Sequence, residues 1–288
     1  MIDLHTHTTA SDGTLAFEEL ISEARRVGLK AIAITDHDNI KSAKKITGNE
    51  AIQAIPGIEL SIFDKELGYA DIHMLGLYLD PQNTRLNKKL DSLALERENQ
   101  KRTTVEKLCE LGYDITFEEV KAKTKGVVGR PHIAKVLIEK YPEQFHSIPE
   151  VFSKLLGRGK PAYLERETGF GLKEAIELVR VSGGLSFIAH PLLYPYDVAK
   201  LLNDFKKLGG HGLEVYYDYI TNRPEAKLTE KENMEMVKRC KKLAADFDLL
   251  ESGGSDFHGA TKGQTLGKFG APDELLEKMK HCCFENKK

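Results

Sequence analysis

Histidines and carboxylates recur at chosen places along this chain. His5 and His7 lie in "IDLHTHTTASDG", with Asp12 just after them; Asp36, His37 and Asp38 close "AIAITDHD"; Glu59 closes "AIQAIPGIEL". His73 lies in "ADIHMLGLYL", His190 closes "LSFIAH", and Asp256 and His258 close "ESGGSDFH". Residues two apart on a strand face the same way, so His5 and His7 can grip one ion without a helix. Six of the ten histidines share this placement near a strand end, which unrelated structural histidines would not do. Imidazoles mixed with carboxylates suit Mn, Fe or Zn, whereas an all-oxygen cage would suit Mg or Ca. The ligand set His5, His7, Asp12, His37, Glu59, His73, His190, Asp256 and His258 exceeds what one tetrahedral ion needs, so two or three divalent ions are expected. Metal pairs ~3.5–4 Å apart typify phosphatases and nucleases, where a metal-bound hydroxide attacks phosphorus in line. No GxxxxGK[ST] loop and no strand-elbow nucleophile points to another chemistry.

The elements that must carry these groups follow a repeated unit. In "FEELISEARRVGLKAIAITDHD", Phe17, Leu20, Ile21, Ala24 and Val27 recur at helical spacing, Gly28 stands where a helix stops, and a β-branched strand follows. "LKEAIELVRVSGGLSFIAHP", "VAKLLNDFKKLGGHGLEVYY" and "MEMVKRCKKLAADFDLLESGGSDFH" repeat helix then strand, ending at His190, Glu214, and Asp256 with His258. With the first strand and those carrying Glu59 and His73, seven strands are expected. Seven strands mostly separated by helices predict a parallel barrel with its functional residues at the strands' C-terminal ends. An open doubly wound sheet would draw its ligands mainly from one switch point.

Residues 88–165 break the pattern with a long helical stretch and shorter helices or loops, dividing the chain into 1–87, a helical insertion, and 166–288. Between Leu86 and Glu165 there are 15 basic and 12 acidic residues, so a mildly basic insert interrupts an acidic barrel. No low-complexity linker marks its edges, which predicts a cap packed on the barrel mouth. Within it, "KAKTKGVVGRPH" holds Lys121, Lys123, Lys125 and Arg130 and no acid. The three lysines read as a solvated charged loop. Arg130 and His132 flank Pro131 where a helix begins, and a guanidinium fork beside a helix N-terminus is a natural phosphate clamp. Lys160 is a weaker candidate, since Arg158 and Lys160 also read as loop flanks.

Composition bounds the rest. The 288 residues carry 42 Lys and Arg against 44 Asp and Glu, and a net charge of −2 argues against an unspecific polyanion binder. No apolar run approaches a membrane span of roughly 18 residues, and His5 and His7 stand where a signal peptide would be apolar. Cys109, Cys240, Cys282 and Cys283 show no CxxC spacing and read as reduced bystanders. A cytoplasmic protein with no membrane and no stable protein partner is expected.

Taken in order, "HTHTTASDG", "ITDHD", "GIEL", "HMLG", "AHP" and "GGSDFH" resemble the PHP (polymerase and histidinol phosphatase) family of metal-dependent phosphoesterases. "VVGRPHIAKVLIEK" and "LGRGKPAY" resemble a subgroup that removes the 3′-phosphate of nucleoside 3′,5′-bisphosphates, some members trimming short RNA from its 5′ end. The resemblance implies an α/β fold, a distorted (β/α)7 PHP barrel, and a small nucleotide or short oligonucleotide as substrate. It implies one ion on His5, His7, Glu59 and Asp256, a second on Glu59, His73 and His190, and a third on Asp12, His37 and His258. His5, His7, Glu59, His190, Asp256 and His258 become the catalytic set, and Arg130, His132 and Lys160 the substrate contacts. Some relatives have histidine where Asp12 stands, so the third site is harder here and favours Mn or Fe, or weaker occupancy. Asp36 is expected to orient a ring nitrogen and Asp38 to serve in a turn. For Glu214, a place in the mouth and a rim salt bridge are equal readings. The alternatives are a histidinol-phosphatase-like phosphomonoesterase, a non-catalytic metal-binding PHP module, and an amidohydrolase, which would want a strand-borne lysine that the sequence lacks.

Overall fold

A computed structural model describes residues 1–124, 128–164, 168–259 and 263–285. The chain forms two compact units, Met1–Leu90 with Gly169–Lys288, and Asp91–Thr168. The elements run β1 (Ile2–Asp3), α1 (Phe17–Arg26), β2 (Ala31–Ile34), β3 (Gln53–Asp64), β4 (Tyr69–Leu77), α2 (Thr84–Glu110), α3 (Phe117–Lys121), α4 (Arg130–Lys140) and α5 (Ile148–Val151). They continue with α6 (Leu172–Val181), β5 (Leu185–Ile188), α7 (Val198–Lys207), β6 (Gly212–Tyr217), α8 (Tyr219–Asn222), α9 (Glu230–Asp246), β7 (Leu250–Gly254) and α10 (Glu274–Glu285).

In the first unit the seven strands pair in chain order, β1 to β7. The sheet curls until Leu4 N–H donates to the Gly253 carbonyl at 3.0 Å and Thr6 bridges Phe257, giving a nearly closed α/β barrel. The buried Asp3 carboxylate strengthens that seam. It accepts from Ser255 N–H at 3.0 Å, Ser255 Oγ at 2.6 Å, Gly267 N–H at 2.8 Å and His5 N–H at 3.3 Å, tying the first strand to the chain after the last. Ile2 and Leu4 join one apolar cluster with Ala31, Ala33, Ile55, Leu75, Leu77, Leu185, Phe187 and the α10 residues Leu275, Leu276 and Met279. Asp3 and His5, at the alternate positions, face the other way.

The repeated unit has a local cause. After α1, Gly28 takes φ +78° and Leu29 N–H returns to the Ala24 carbonyl at 3.0 Å, which closes the helix and turns the chain into β2. After α6, Gly183 at φ +76° does the same before β5. No glycine follows α9. There Asp248 adopts φ +49° and Leu249 N–H reaches the Ala244 carbonyl at 2.8 Å, consistent with the tolerance of aspartate for this region.

One strand departs from the expected parallel series. β4 is antiparallel to both β3 and β5. No helix separates β3 from β4. A hairpin joins them, with the Asp64 carboxylate accepting Glu66 N–H at 3.1 Å and Leu67 N–H at 2.9 Å, and a hairpin can connect only antiparallel strands. This reversal is why the barrel is distorted.

The second unit is helical and has its own core, including Val105, Leu108, Phe117, Val120, Ile133, Leu137, Phe145 and Leu156. Thr116 begins α3 with a capping box, its hydroxyl accepting from Glu119 N–H while Glu119 accepts from Thr116 N–H.

Candidate metal centre

β1 is shorter than the sequence implies, so His5 and His7 lie just beyond it in extended chain, both fully buried. Glu59 lies within β3, and His73 lies mid-strand in β4, not at a strand end. Because β4 runs backwards, His73 is nonetheless carried alongside Ser61, two residues beyond Glu59. His190 and Asp256 follow β5 and β7 with φ of 27° and 53°. Left-handed backbone at non-glycine residues is strained, and such outliers collect at functional sites.

Glu59 is the hub. Its Oε2 lies 3.2 Å from His5 Nε2, 3.3 Å from His7 Nε2 and 2.9 Å from His37 Nδ1. Its Oε1 lies 3.0 Å from His73 Nδ1 and 3.1 Å from His190 Nε2. Asp256 Oδ1 stands 3.4 Å from His5 Nε2 and 3.1 Å from His7 Nε2. Asp12 Oδ1 stands 3.2 Å from His258 Nε2, 3.9 Å from His7 Nδ1 and 4.0 Å from His37 Nε2.

Among the described residues, three groups of donor atoms are each mutually within 4.8 Å: His5, His7, Glu59 and Asp256; His7, Asp12, His37 and His258; and His37, Glu59 and His73. His190 falls outside these groups but touches Glu59. His7 and His37 each enter two of them.

Whether such residues fit metal ions can be judged from their hydrogen bonds. His5 Nε2, both ring nitrogens of His7, Glu59 Oε2 and Asp256 Oδ1 are buried and none makes an aligned hydrogen bond. Buried polar atoms left bare are costly and rare, yet these converge on one place. The donor set fits divalent ions.

The electrostatics agree. Burial alone would raise Glu59 and Asp256, but the surrounding imidazoles hold both carboxylates well below their ordinary range. Burial likewise opposes charging of His7, yet Asp256 and Glu59 lift it to about 9. His5 is raised well above the usual value for the same reason, with Glu214 contributing most. Burial lowers His73 and His258.

The carboxylates beside the cluster divide by role. Asp36 was expected to orient a ring nitrogen. It accepts instead from Thr8 N–H at 2.7 Å, Ser11 Oγ at 2.6 Å and Thr8 Oγ1, so it holds the loop after β1. Asp38, at φ +44°, accepts from Ser61 N–H and Oγ. Glu214 is wholly buried against His5 and is no rim salt bridge.

In the helical unit, Arg130 opens α4 after Gly129, with Pro131 in the first turn. Its guanidinium donates to the Leu156 carbonyl at 3.2 Å and lies 5.6 Å and 5.3 Å from the Phe152 and Tyr163 rings. No carboxylate among the described residues pairs with it. Arg130 lines a cavity of about 230 Å³ with Arg97, Gln100, Lys101 and Thr104 of α2. Those four recur at helical spacing on one face, with Thr104 buried and the other three half-buried. His132 Nδ1 accepts Gly129 N–H at 2.9 Å, and burial lowers its pKa. Lys160 is exposed. Lys121 and Lys123 pair with Glu98 and Glu139, and Lys125 lies outside the described residues.

Residues 3–178 match the PHP domain. The chain belongs to the PHP family. This PHP chain is 34% identical over 272 residues to a 5′-3′ exoribonuclease of Haemophilus influenzae, covering 92% of the chain and 93% of that protein. It is 28% identical to a phosphoribosyl 1,2-cyclic phosphate 1,2-diphosphodiesterase of Eggerthella lenta, over 89% of the chain and 94% of that protein. A 3′,5′-nucleoside bisphosphate phosphatase of Chromobacterium violaceum is 27% identical, over 91% and 88%. A solved structure from Bifidobacterium adolescentis, assigned as a metal-dependent phosphoesterase, superposes with a TM-score of 0.77 at 26% identity, covering 98% of this chain and 96% of that one. No helix among the described residues of the PHP chain is long and apolar enough to cross a membrane.

Proposed function

We propose that this PHP chain removes the 3′-phosphate of nucleoside 3′,5′-bisphosphates, trims short 5′-phosphorylated RNA, or does both, using two or three divalent ions held by the histidine and carboxylate cluster. That it is a hydrolase of phosphoric esters follows from its family and relatives; the substrate and the residue roles are the proposal. The observation that carries it is the convergence of bare, buried donor atoms from His5, His7, Glu59 and Asp256.

In this reading His5, His7, Glu59 and Asp256 hold one ion, Glu59, His73 and His190 a second, and Asp12, His37 and His258 a third. Bound there, divalent ions would neutralise phosphoryl charge and bring water toward ionisation at neutral pH. Glu59 supports two positions at once because its oxygens face different imidazoles. Burial of the cluster strengthens each charge interaction in it. Arg130 holds the substrate's other phosphate, steadied by the Leu156 carbonyl and two aromatic faces, and His132 and Lys160 are further substrate contacts. A fixed guanidinium fork suits the geometry of a phosphate. A second reading, hydrolysis of a cyclic phosphate diester, is favoured by the Eggerthella lenta relative.

The test is phosphate release from adenosine 3′,5′-bisphosphate by manganese-loaded protein, run beside 5′-AMP, histidinol phosphate, a ribosyl cyclic phosphate and a short RNA. Selective release from the 3′ position, or stepwise release of 5′ nucleotides, is expected. Turnover of histidinol phosphate alone would overturn the substrate. Turnover of nothing, with metal bound, would favour a binding module.

A further inference from the structure

We propose that Glu214 and Tyr194 are positioning residues that hold the Nδ1 proton of His5 and His190, so that each Nε2, which faces Glu59, is the nitrogen left to bind an ion in place of a proton. The inference rests on the reading that this cluster holds metal ions, and it adds what prepares the ligands to do so.

Neutral imidazole has one donor and one acceptor nitrogen, and the partner of one fixes the role of the other. Glu214 sits in β6, fully buried, with each oxygen engaged. Oε2 accepts His190 N–H at 2.7 Å, and Oε1 lies 3.0 Å from His5 Nδ1. A carboxylate only accepts, so His5 carries its proton on Nδ1. Its Nε2, bare of any aligned partner beside Glu59 Oε2 and Asp256 Oδ1, is the nitrogen that would give up its proton to an ion.

Tyr194 yields the same answer for His190. Its hydroxyl has one proton and two lone pairs, with three neighbours within 3.1 Å and the His73 carbonyl farther off at 3.5 Å. His73 N–H donates to it at 2.8 Å, the Ala189 carbonyl lies at 3.1 Å, and His190 Nδ1 lies at 3.0 Å. The carbonyl can only accept, so the hydroxyl proton goes there. The second lone pair is left for His190 Nδ1–H, and all four groups are satisfied. His190 Nε2 faces Glu59 Oε1 at 3.1 Å, a contact that a proton fills in the metal-free protein and that an ion would take over.

His258 supplies an independent case of the pattern. Its Nδ1 lies 2.7 Å from the Asp256 carbonyl, which again can only accept, so its Nε2, 3.2 Å from Asp12, is the nitrogen left for an ion. A backbone carbonyl does for His258 what Glu214 and Tyr194 do for the other two rings. Groups that orient ligating histidines in this way typically change metal affinity by roughly 10- to 100-fold when removed.

Two variants separate this role from bulk. Glu214→Gln keeps the shape but has one accepting oxygen for two donors, so either His5 Nδ1–H or His190 N–H meets an amide N–H. Tyr194→Phe removes only the hydroxyl. The readouts are zinc affinity by chelator competition, circular dichroism as a folding control, and the ring-nitrogen NMR pattern of zinc-loaded wild type. The expected results are Nδ1–H, Nε2-ligated signatures for His5 and His190, and zinc affinity weakened roughly 10- to 100-fold in each folded variant. Should a variant fail to fold, the wild-type NMR pattern still decides. Nδ1 ligation by His5 and His190 in the wild type, or unchanged zinc affinity in both folded variants, would overturn the positioning role alone. A wild type that binds no zinc would overturn the metal reading and this inference with it.

Discussion

The two units of this chain handle charge in opposite ways. The barrel unit buries its functional groups: His5, His7, Glu59, His190, Asp256 and His258 are all buried, and only Asp12 is strongly exposed, at 51% of its side chain. The helical unit buries aliphatic and aromatic side chains and keeps Arg130 and His132 half-exposed and Lys160 exposed. Burying so many polar groups is tolerable only where they satisfy one another or a bound cation. Strand ends supply the rigidity that such a cluster demands, whereas a guanidinium at a helix start needs only a carbonyl and two rings to steady it. The proposed function places bond breaking in the barrel and choice of substrate in the helices, in line with this contrast.

The sharpest way to break that division is Glu59→Gln. Because both Glu59 oxygens face imidazoles, the variant should lose metal and lower phosphate release by more than roughly a hundredfold. Metal analysis beside a phosphate assay checks this, and full metal content with full activity would remove Glu59 from the centre. Arg130→Ala should act differently, since it removes charge-assisted contacts worth about 1.5–3 kcal/mol. KM for a 3′,5′-bisphosphate should rise roughly 10- to 150-fold by that energy, with kcat and the KM for an aryl phosphate little changed. Equal effects on both substrates would end the clamp role.

A smaller effect concerns pH. In metal-free protein the neighbouring carboxylates hold His7 at about 9, so it is protonated at neutral pH and must lose that proton to bind an ion. Metal affinity should therefore climb as pH rises toward about 9 and then level off. Proton release on metal binding, measured by calorimetry in two buffers, checks the sign; affinity falling with pH over that range would reverse it. The smallest change is expected from Lys121→Ala. Its exposed pair with Glu98, at 3.4 Å, is worth under about 1 kcal/mol, and KM should move by less than about twofold.

Much of the barrel could be read in the sequence because its signals are local. Helical spacing, a terminating glycine and a β-branched run lie within about twenty consecutive residues, and the histidines stand just beyond them. The reversed β4 could not be read from strand pattern, because alternation has no direction. The four residues Lys65–Gly68 between two strand patterns were the available hairpin signal. Asp248 stands after α9 where Gly28 and Gly183 stand in other repeats, because aspartate tolerates the same backbone. The partners of Asp36 and Glu214 depend on which strands become neighbours, so neither could be chosen from one stretch of chain. Tyr194, four residues after His190, carries no spacing signal; only the fold turns its hydroxyl back onto that ring. Arg97 and Lys101 look like any exposed pair on a charged helix until the cavity beside Arg130 is seen.

The account stands on the barrel cluster being a metal centre that carries the hydrolysis. Titrating chelator-stripped protein with Mn²⁺, while following bound metal and release of phosphate from adenosine 3′,5′-bisphosphate in the same samples, tests this most directly. The account predicts two or three ions per chain and activity that appears as they bind. Full activity in the stripped protein, or saturated metal binding with no hydrolysis of any phosphate ester, would contradict it.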